Sequence, residues 1–350
     1  MSGRHHRSSR VRTRLLPTTA ALCAGALAAT GCLPGGAGAA SGEQHPAQAP
    51  VGRSAPANSS PFWVDPDSAA ARQVEEYRTQ GRTEEATLLR RISERPAALW
   101  PLWSDPVADI RRAVRGAAPK KQTAVLVAYN IPHRDCGMYS KGGAANAEAY
   151  REWIGSFAQA VGDAPAVVVL EPDAVPHVVD GCTPAQYHEE RYQLLAEAVG
   201  RLKRQPRTKV YLDAGNPAWI KDPGKLVEPL RRAGLAKADG FSLNVSNFQT
   251  TPAVTAFGTE LSALLGGAHF VIDTSRNGAG PLPGDGEEAW CNPPGRALGT
   301  PPTGNTGDAR VDAYLWIKRP GESDGTCRGG PAAGTWWPEY ALGLARRAKG

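Results

Sequence analysis

The chain has 350 residues, 41% hydrophobic and 21% charged, with a formal net charge of +6. That composition belongs to a soluble globular protein and excludes a disordered or fibrous chain. Arg4, Arg7, Arg10, Arg12 and Arg14 lie before residue 32 with no acid among them, and removing those five charges from +6 leaves +1. The remainder is close to neutral, which excludes a nucleic-acid binder that works through a basic surface.

In chain order, the arginines precede an apolar, Ala-rich run from Leu15 to Ala29. Residues 1–31 read as an export signal, too short to stay in a membrane as a spanning helix. Two processing sites compete. Ala29-Thr30-Gly31-Cys32 is similar to a lipoprotein signal, with Cys32 as the lipidated residue; Ala37-Gly38-Ala39 suits ordinary cleavage. The arginines are spaced, so a twin-arginine route is not expected. Residues 32–60 are rich in Gly, Ala, Pro and Ser and read as a flexible tether. A single folded domain is expected over 61–350.

From Thr123 onward, apolar β-rich runs alternate with helical patterns. The runs are Val125–Ala128, Val167–Leu170, Lys209–Leu212, Gly240–Val245, His269–Ile272 and Tyr314–Ile317. Between the first two, Tyr150, Trp153, Ile154, Phe157 and Val161 share one helical face over Ala147–Val161, with Asn146 placed to cap it. Leu195, Ala198, Val199 and Leu202 predict a helix over Pro184–Lys203, opened by Thr183-Pro184. Continuous apolar strands separated by helices imply a parallel sheet buried on both faces. With this many strands in one domain, a (β/α) barrel is favoured over an open sheet. No Gly-x-Gly-x-x-Gly follows the first run, which argues against a dinucleotide site. The Gly-, Pro- and Asn-rich stretch from Asn277 to Asp308 is longer than a plain connection needs.

Carboxylates follow strand after strand: Asp135, Asp173, Asp213, Asp273, and the segment Lys318-Arg319-Pro320-Gly321-Glu322-Ser323-Asp324 after the last. A single Asp there is commonly a turn former. In a parallel barrel, however, all these ends share the rim where active sites form. Clustered carboxyls are what glycosidic hydrolysis requires, one kept protonated for the leaving oxygen and one ionised to activate water. Like charges nearby help an acid keep its proton. The rival use of such a cluster, a hard-cation site, lacks support from any His spacing, and no metal or cofactor is expected. Among nine tryptophans, Trp153 and Trp316 fall on core patterns, while Trp63, Trp100, Trp219 and Trp290 sit at segment ends or in loops, where sugar rings could stack. Beyond Cys23 and Cys32, the cysteines are Cys136, Cys182, Cys291 and Cys327. Two disulfides in any of three connectivities fit an exported protein, and no Cys-x-x-Cys spacing suggests zinc.

At these residues the chain resembles glycoside hydrolase family 6, inverting cellulases that cut β-1,4-glucan. The matching motifs run in order through Tyr129–Gly137, Glu171-Pro172-Asp173, Leu212-Asp213-Ala214-Gly215, Ile272–Gly278 and Trp316–Gly325. The resemblance implies a distorted, incomplete β/α barrel with Asp173 as general acid, Asp135 as the neighbour that raises its pKa or relays a proton, and Asp324 as base. It implies substrate contacts from Tyr129, Asp213, Lys318 and Glu322, a further one from Asn244, and stacking on Trp63, Trp219 and Trp290. Glu171 and Asp273 are expected to be structural. It implies the disulfides Cys136–Cys182 and Cys291–Cys327. The family commonly has His after Asp-Ala-Gly; here Asn216 follows, able to hydrogen-bond substrate but not to carry charge. The short Gly-rich loops suggest an open cleft, and with it a monomeric, exported endo-β-1,4-glucanase, either free or held by a lipid on Cys32. A cellobiohydrolase, or a non-catalytic glucan-binding surface protein, are the alternatives.

Overall fold

The computed structural model describes residues 60–284 and 286–349. The stretch expected to be an export signal, most of the expected tether and Cys32 lie outside the described residues. No described helix is long and apolar enough to cross a membrane.

The described chain opens with a helical pair, α1 (Ala69–Thr79) and α2 (Thr83–Ser93), followed by α3 (Val107–Ala117). Ser68 caps α1 by accepting from the Ala71 amide. Strands and helices then alternate: β1 (Ala124–Ala128), α4 (Ala147–Val161), β2 (Ala166–Leu170), α5 (Pro176–Val179), α6 (His188–Leu202), β3 (Thr208–Asp213), α7 (Gly224–Arg232), β4 (Gly240–Leu243), α8 (Thr251–Leu264), β5 (His269–Asp273), β6 (Val311–Leu315) and α9 (Pro338–Arg347). Asn146 caps α4 through the Ala149 amide. The helix predicted from Pro184 begins as α-helix only at His188, after a tight turn over Ala185–Tyr187. The last strand lies earlier than predicted, because the chain turns at Trp316 to meet another segment.

The six strands pair in sequential order, all parallel. They curl into an incomplete barrel. Val125, Val127, Val167, Val169, Tyr211, Val271, Ala313 and Leu315 fill its inside. Leu126, Val168, Leu170, Leu212, Phe241 and Ile272 face outward against the surrounding helices. Alternate residues are thus buried on opposite faces, which is why the strands read as unbroken apolar runs.

β1 and β6 do not pair with each other. The stretch Ala98–Trp100 runs between them. Leu99 exchanges backbone hydrogen bonds with Val125 and Val127, each 2.9 Å, while Ala98 N donates to Trp316 O at 2.8 Å. The Trp100 indole donates to Ile317 O at 2.8 Å. α1, α2 and α9 cover this seam in a core of their own that includes Leu298 and Trp316.

Candidate active site

The C-terminal strand ends form the rim, and their carboxylates divide into clamps and free groups. Glu171, at the end of β2, is buried and accepts from Asn130 N and Ile131 N at 2.9 Å. It fixes the chain leaving β1, and burial raises its pKa to about 7. Asp273 accepts from Ser246, Ser275, Ile317 and Lys318 amides and so ties the ends of β4, β5 and β6 together. Asp213 accepts from Asp173 N at 2.9 Å and from the Ser242 hydroxyl at 3.3 Å. It too is a clamp: it holds the backbone of Asp173, which sits in the left-handed region at φ 70°. The contacts of Asp213 thus assign it to positioning the neighbouring carboxyl, and its burial leaves little surface for a sugar.

Among the described residues, Asp173 accepts no backbone amide in this way, and Asp135 accepts one. Asp135 also has positive φ, 57°, and one of its oxygens accepts from Ser140 N. Both carboxyl groups come together with the His177 ring, with one donor atom of each within 4.8 Å of the others. The Tyr129 hydroxyl donates to Asp173 Oδ2 at 3.4 Å. Burial raises the Asp173 pKa, opposed by His177 and Tyr129 and reinforced by the charge of Asp135. Burial likewise raises Asp135, against the Ser140 amide, His177 and Arg134. This is the environment of a carboxyl that retains its proton. The same three donors could grip a divalent cation; the neighbouring group of Cys136, Cys182 and His177 could not, because both sulfurs are joined in a disulfide.

Asp324 lies in a different setting. Its Oδ2 accepts from Arg276 Nη1 at 2.8 Å and Asn292 N at 3.0 Å, and its Oδ1 is 3.6 Å from Lys318 Nζ. Arg276 is fully buried and also donates to Ser246 O at 2.6 Å. Burial lowers the Lys318 pKa, with Asp324 opposing. Glu322 is buried beside Lys318 in sequence and pairs with Arg319 at 2.8 Å. Asn292 comes from the long Asn277–Asp308 connection, whose length serves to bring this amide to Asp324.

A profile of the glycosyl hydrolases family 6 matches residues 57–348. The chain belongs to glycosyl hydrolase family 6. Endoglucanase 1 of Streptomyces halstedii is 46% identical over 80% of this chain and 87% of the relative. Endoglucanase A of Cellulomonas fimi is 41% identical over 84% of this chain, which spans 63% of that relative's length. The structure of the endoglucanase Cel6 from Mycobacterium tuberculosis, solved with a thio-linked cello-oligosaccharide, superposes with a TM-score of 0.76 at 44% identity. It covers 82% of this chain and 97% of that one. The family 6 chain is therefore a glycoside hydrolase built on the incomplete barrel.

The aromatic candidates separate on the same grounds. Trp219 is half-buried, donates to Asp180 Oδ2 at 2.8 Å and meets the His177 ring edge-on at 4.8 Å. Asn216 accepts from the Ala218 and Trp219 amides at 3.0 and 3.2 Å, so its oxygen shapes the turn that presents Trp219. Trp290 is half-buried near Tyr139, with ring centroids 6.0 Å apart. Two expected contacts are corrected. Trp63 is buried in the outer core, and its backbone pairs with Thr123, at the end of β1 remote from the rim. Its ring packs against Gly116, where an added methyl would lie 2.8 Å away; it is a packing residue. Asn244 is fully buried, and its amide is spent on Gln249 N, Gln249 O and Asp273 O, so nothing is left for a sugar hydroxyl.

Three residues escaped the sequence reading. Trp100, noted only as a loop tryptophan, stands edge-on to Tyr129 with centroids 5.4 Å apart. Arg276 was visible as an unexplained cation directly after a strand-end Asp-Thr-Ser. His177 had a signal in its spacing, four residues beyond Asp173 at the start of a helix. The structure joins Cys136 to Cys182 and Cys291 to Cys327. The first closes 46 residues and fastens the Asp135 turn; a loop of that size stabilises by roughly 4 kcal/mol in the chain-entropy model.

Proposed function

We propose that the protein is an endo-acting β-1,4-glucanase in which Asp173 protonates the leaving oxygen. The observation that carries this is the half-buried Asp135–Asp173 pair, in which desolvation and a like charge favour a protonated carboxyl at the rim of the barrel. The two carboxyls, with donor atoms within 4.8 Å, are closer than the roughly 6.5–9.5 Å that separates acid from base in an inverting enzyme. Asp135 is therefore the acid's partner, and the base must come from elsewhere. Asp324 has Oδ2 committed to Arg276 and Asn292, which leaves Oδ1, 3.6 Å from Lys318 Nζ, to take the proton of the attacking water. Tyr129 and Trp100 crowd the sugar beside the acid; Trp219 and Trp290 supply stacking faces, and Lys318 and Glu322 bind hydroxyls. The names of the bacterial relatives and the modest loops support internal cleavage in an open cleft.

The deciding experiment is anomeric NMR on cello-oligosaccharide hydrolysis, with Asp173→Ala as control. Inverted product is expected. The close carboxyl spacing also admits a retaining route with Asp135 as nucleophile, and retained product would establish that route. A rapid fall in viscosity of carboxymethylated cellulose is expected for endo action; near-pure cellobiose released from chain ends would identify a cellobiohydrolase. No reducing sugar above the Asp173→Ala background would leave a glucan-binding role only.

Export is proposed on the Arg-rich leader together with the disulfides within the domain. Mass spectrometry of the mature N-terminus distinguishes a lipidated Cys32 from cleavage after Ala39.

A further inference from the structure

We propose that His177, coupled to Asp180, is a positioning residue that returns the proton to Asp173 between turnovers. The proposal rests on Asp173 being the acid. Each hydrolytic cycle strips Asp173 of its proton, and this half-buried carboxyl at the rim is covered while a glucan chain fills the cleft, so it needs a second route to water. His177 is 4% exposed, whereas Asp180 opens to solvent. The ring Nδ1 lies 3.5 Å from Asp180 Oδ2 and makes no well-aligned hydrogen bond with any protein group. A ring nitrogen is within 4.8 Å of oxygens on both Asp135 and Asp173, a gap spanned by one water or a small ring rotation. The His177 amide donates to Asp173 O at 2.9 Å, which sets the ring relative to the acid.

The groups facing His177 come from every side. Asp173 and Asp180 flank it on its own segment, and Asp135 reaches it from the turn after β1, with Arg134 next in that turn. Trp219 closes the ring's edge from the β3–α7 connection and shares Asp180 with it. Arg191 of α6 lies behind, bound to Ala174 O and the Thr183 hydroxyl, while Thr183 N donates to His177 O. Burial works against a charged ring, yet Asp180, Asp173 and Asp135 together carry its pKa above the ordinary histidine value. The three carboxyl groups around the ring thus draw it toward the protonated form, against its burial.

The proton balance closes. During cleavage the Asp173 proton passes to the glycosidic oxygen as the C1–O bond breaks, and water bonds to C1 while its proton goes to the base. The imidazolium then gives its N–H proton to the Asp173 carboxylate. The neutral ring takes a proton from solvent on the Asp180 side, and the base releases its own to water.

The test is the pH dependence of kcat and KM on cellohexaose for His177→Asn and Asp180→Asn, with Asp173→Ala alongside. For His177→Asn, kcat at neutral pH should fall about tenfold with KM held within about twofold. The alkaline limb of kcat/KM should move to higher pH, because the cation that favoured the ionised acid is gone. Asp180→Asn both lowers the ring's affinity for its proton and removes a carboxylate that itself raises Asp173, so the two effects oppose and its limb should move less than that of His177→Asn. A role confined to packing against Trp219 would leave the limb in place, and an unmoved limb in both variants overturns the proposal. Should His177→Asn fail to fold, His177→Gln takes its place in the same assay. Wild-type activity in Asp173→Ala would remove the acid assignment itself; an inactive Asp173→Ala with unmoved limbs would remove only the relay.

Discussion

The rim presents aspartates in two opposite settings. Around Asp135 and Asp173, carboxyls crowd one another beside a histidine ring. Around Asp324, a fully buried arginine and a lysine converge on a single carboxylate. The residue type is the same, and the neighbours differ: one setting favours a protonated carboxyl, the other holds a carboxylate oxygen by a charge-assisted bond. One consequence is that strand-end position alone says little about role. Glu171, Asp213 and Asp273 occupy equivalent strand ends, yet they spend their oxygens on backbone amides and act as rivets for the free pair.

The comparison can be broken most severely at Asp173. Replacing it with Ala should cost about 10²–10⁴-fold in kcat, measured as reducing-sugar release with the melting temperature as a folding control. A comparable loss at Asp135 in the same assay would make the two carboxyls equal. On the other side, Arg276→Met strands a buried Asp324 without its guanidinium. A loss of about 3–5 kcal/mol of stability is expected by denaturant titration, and a near-neutral effect would show Lys318 to be sufficient.

Glu171→Gln probes the rivets. Its folded pKa is raised from 4.5 to about 7, so the stability it contributes is complete below pH 4.5 and is lost as the pH rises through 7. Gln keeps an acceptor for the Asn130 and Ile131 amides without titrating. The variant's melting temperature should therefore gain on the wild type between pH 5 and 8, by at most about 3 kcal/mol in free energy; parallel curves would show that Glu171 does not titrate there. The finest effect is at Asp135. With Asn in its place, Asp173 loses a like charge, and the alkaline limb of kcat/KM should move to lower pH by on the order of one unit. A limb that stays in place would remove Asp135 from the acid's environment.

Much of this arrangement was legible in the sequence. The strands read as apolar runs because both faces are buried, and their carboxylates were visible at once. Which strand end a residue occupies was not legible for Trp63, whose neighbours in sequence precede β1 by some sixty residues and whose pairing with Thr123 is a tertiary fact. Asn244 was misread for a related reason: an amide at a strand end looks available until its bonds to Gln249 and Asp273 are seen. α1, α2, α3 and α9 were also missed as elements. The apolar faces of α1, α2 and α9 answer to a seam that exists only once β1 and β6 have been brought near each other, while α3 packs in the outer core with α4 and β1.

That seam also bears on the order in which the protein folds. Its contacts join residues far apart in the chain; the Trp100 indole bonds a carbonyl 217 positions away. Closing so long a loop is entropically late compared with pairing sequential strands. The β/α units can assemble first, with the seam docking afterwards, and only then does Trp100 meet Tyr129 over the acid. On refolding from denaturant, secondary structure should return before catalysis does, with the tryptophan fluorescence change tracking activity. That order would make assembly of the catalytic cleft the last step in building the barrel.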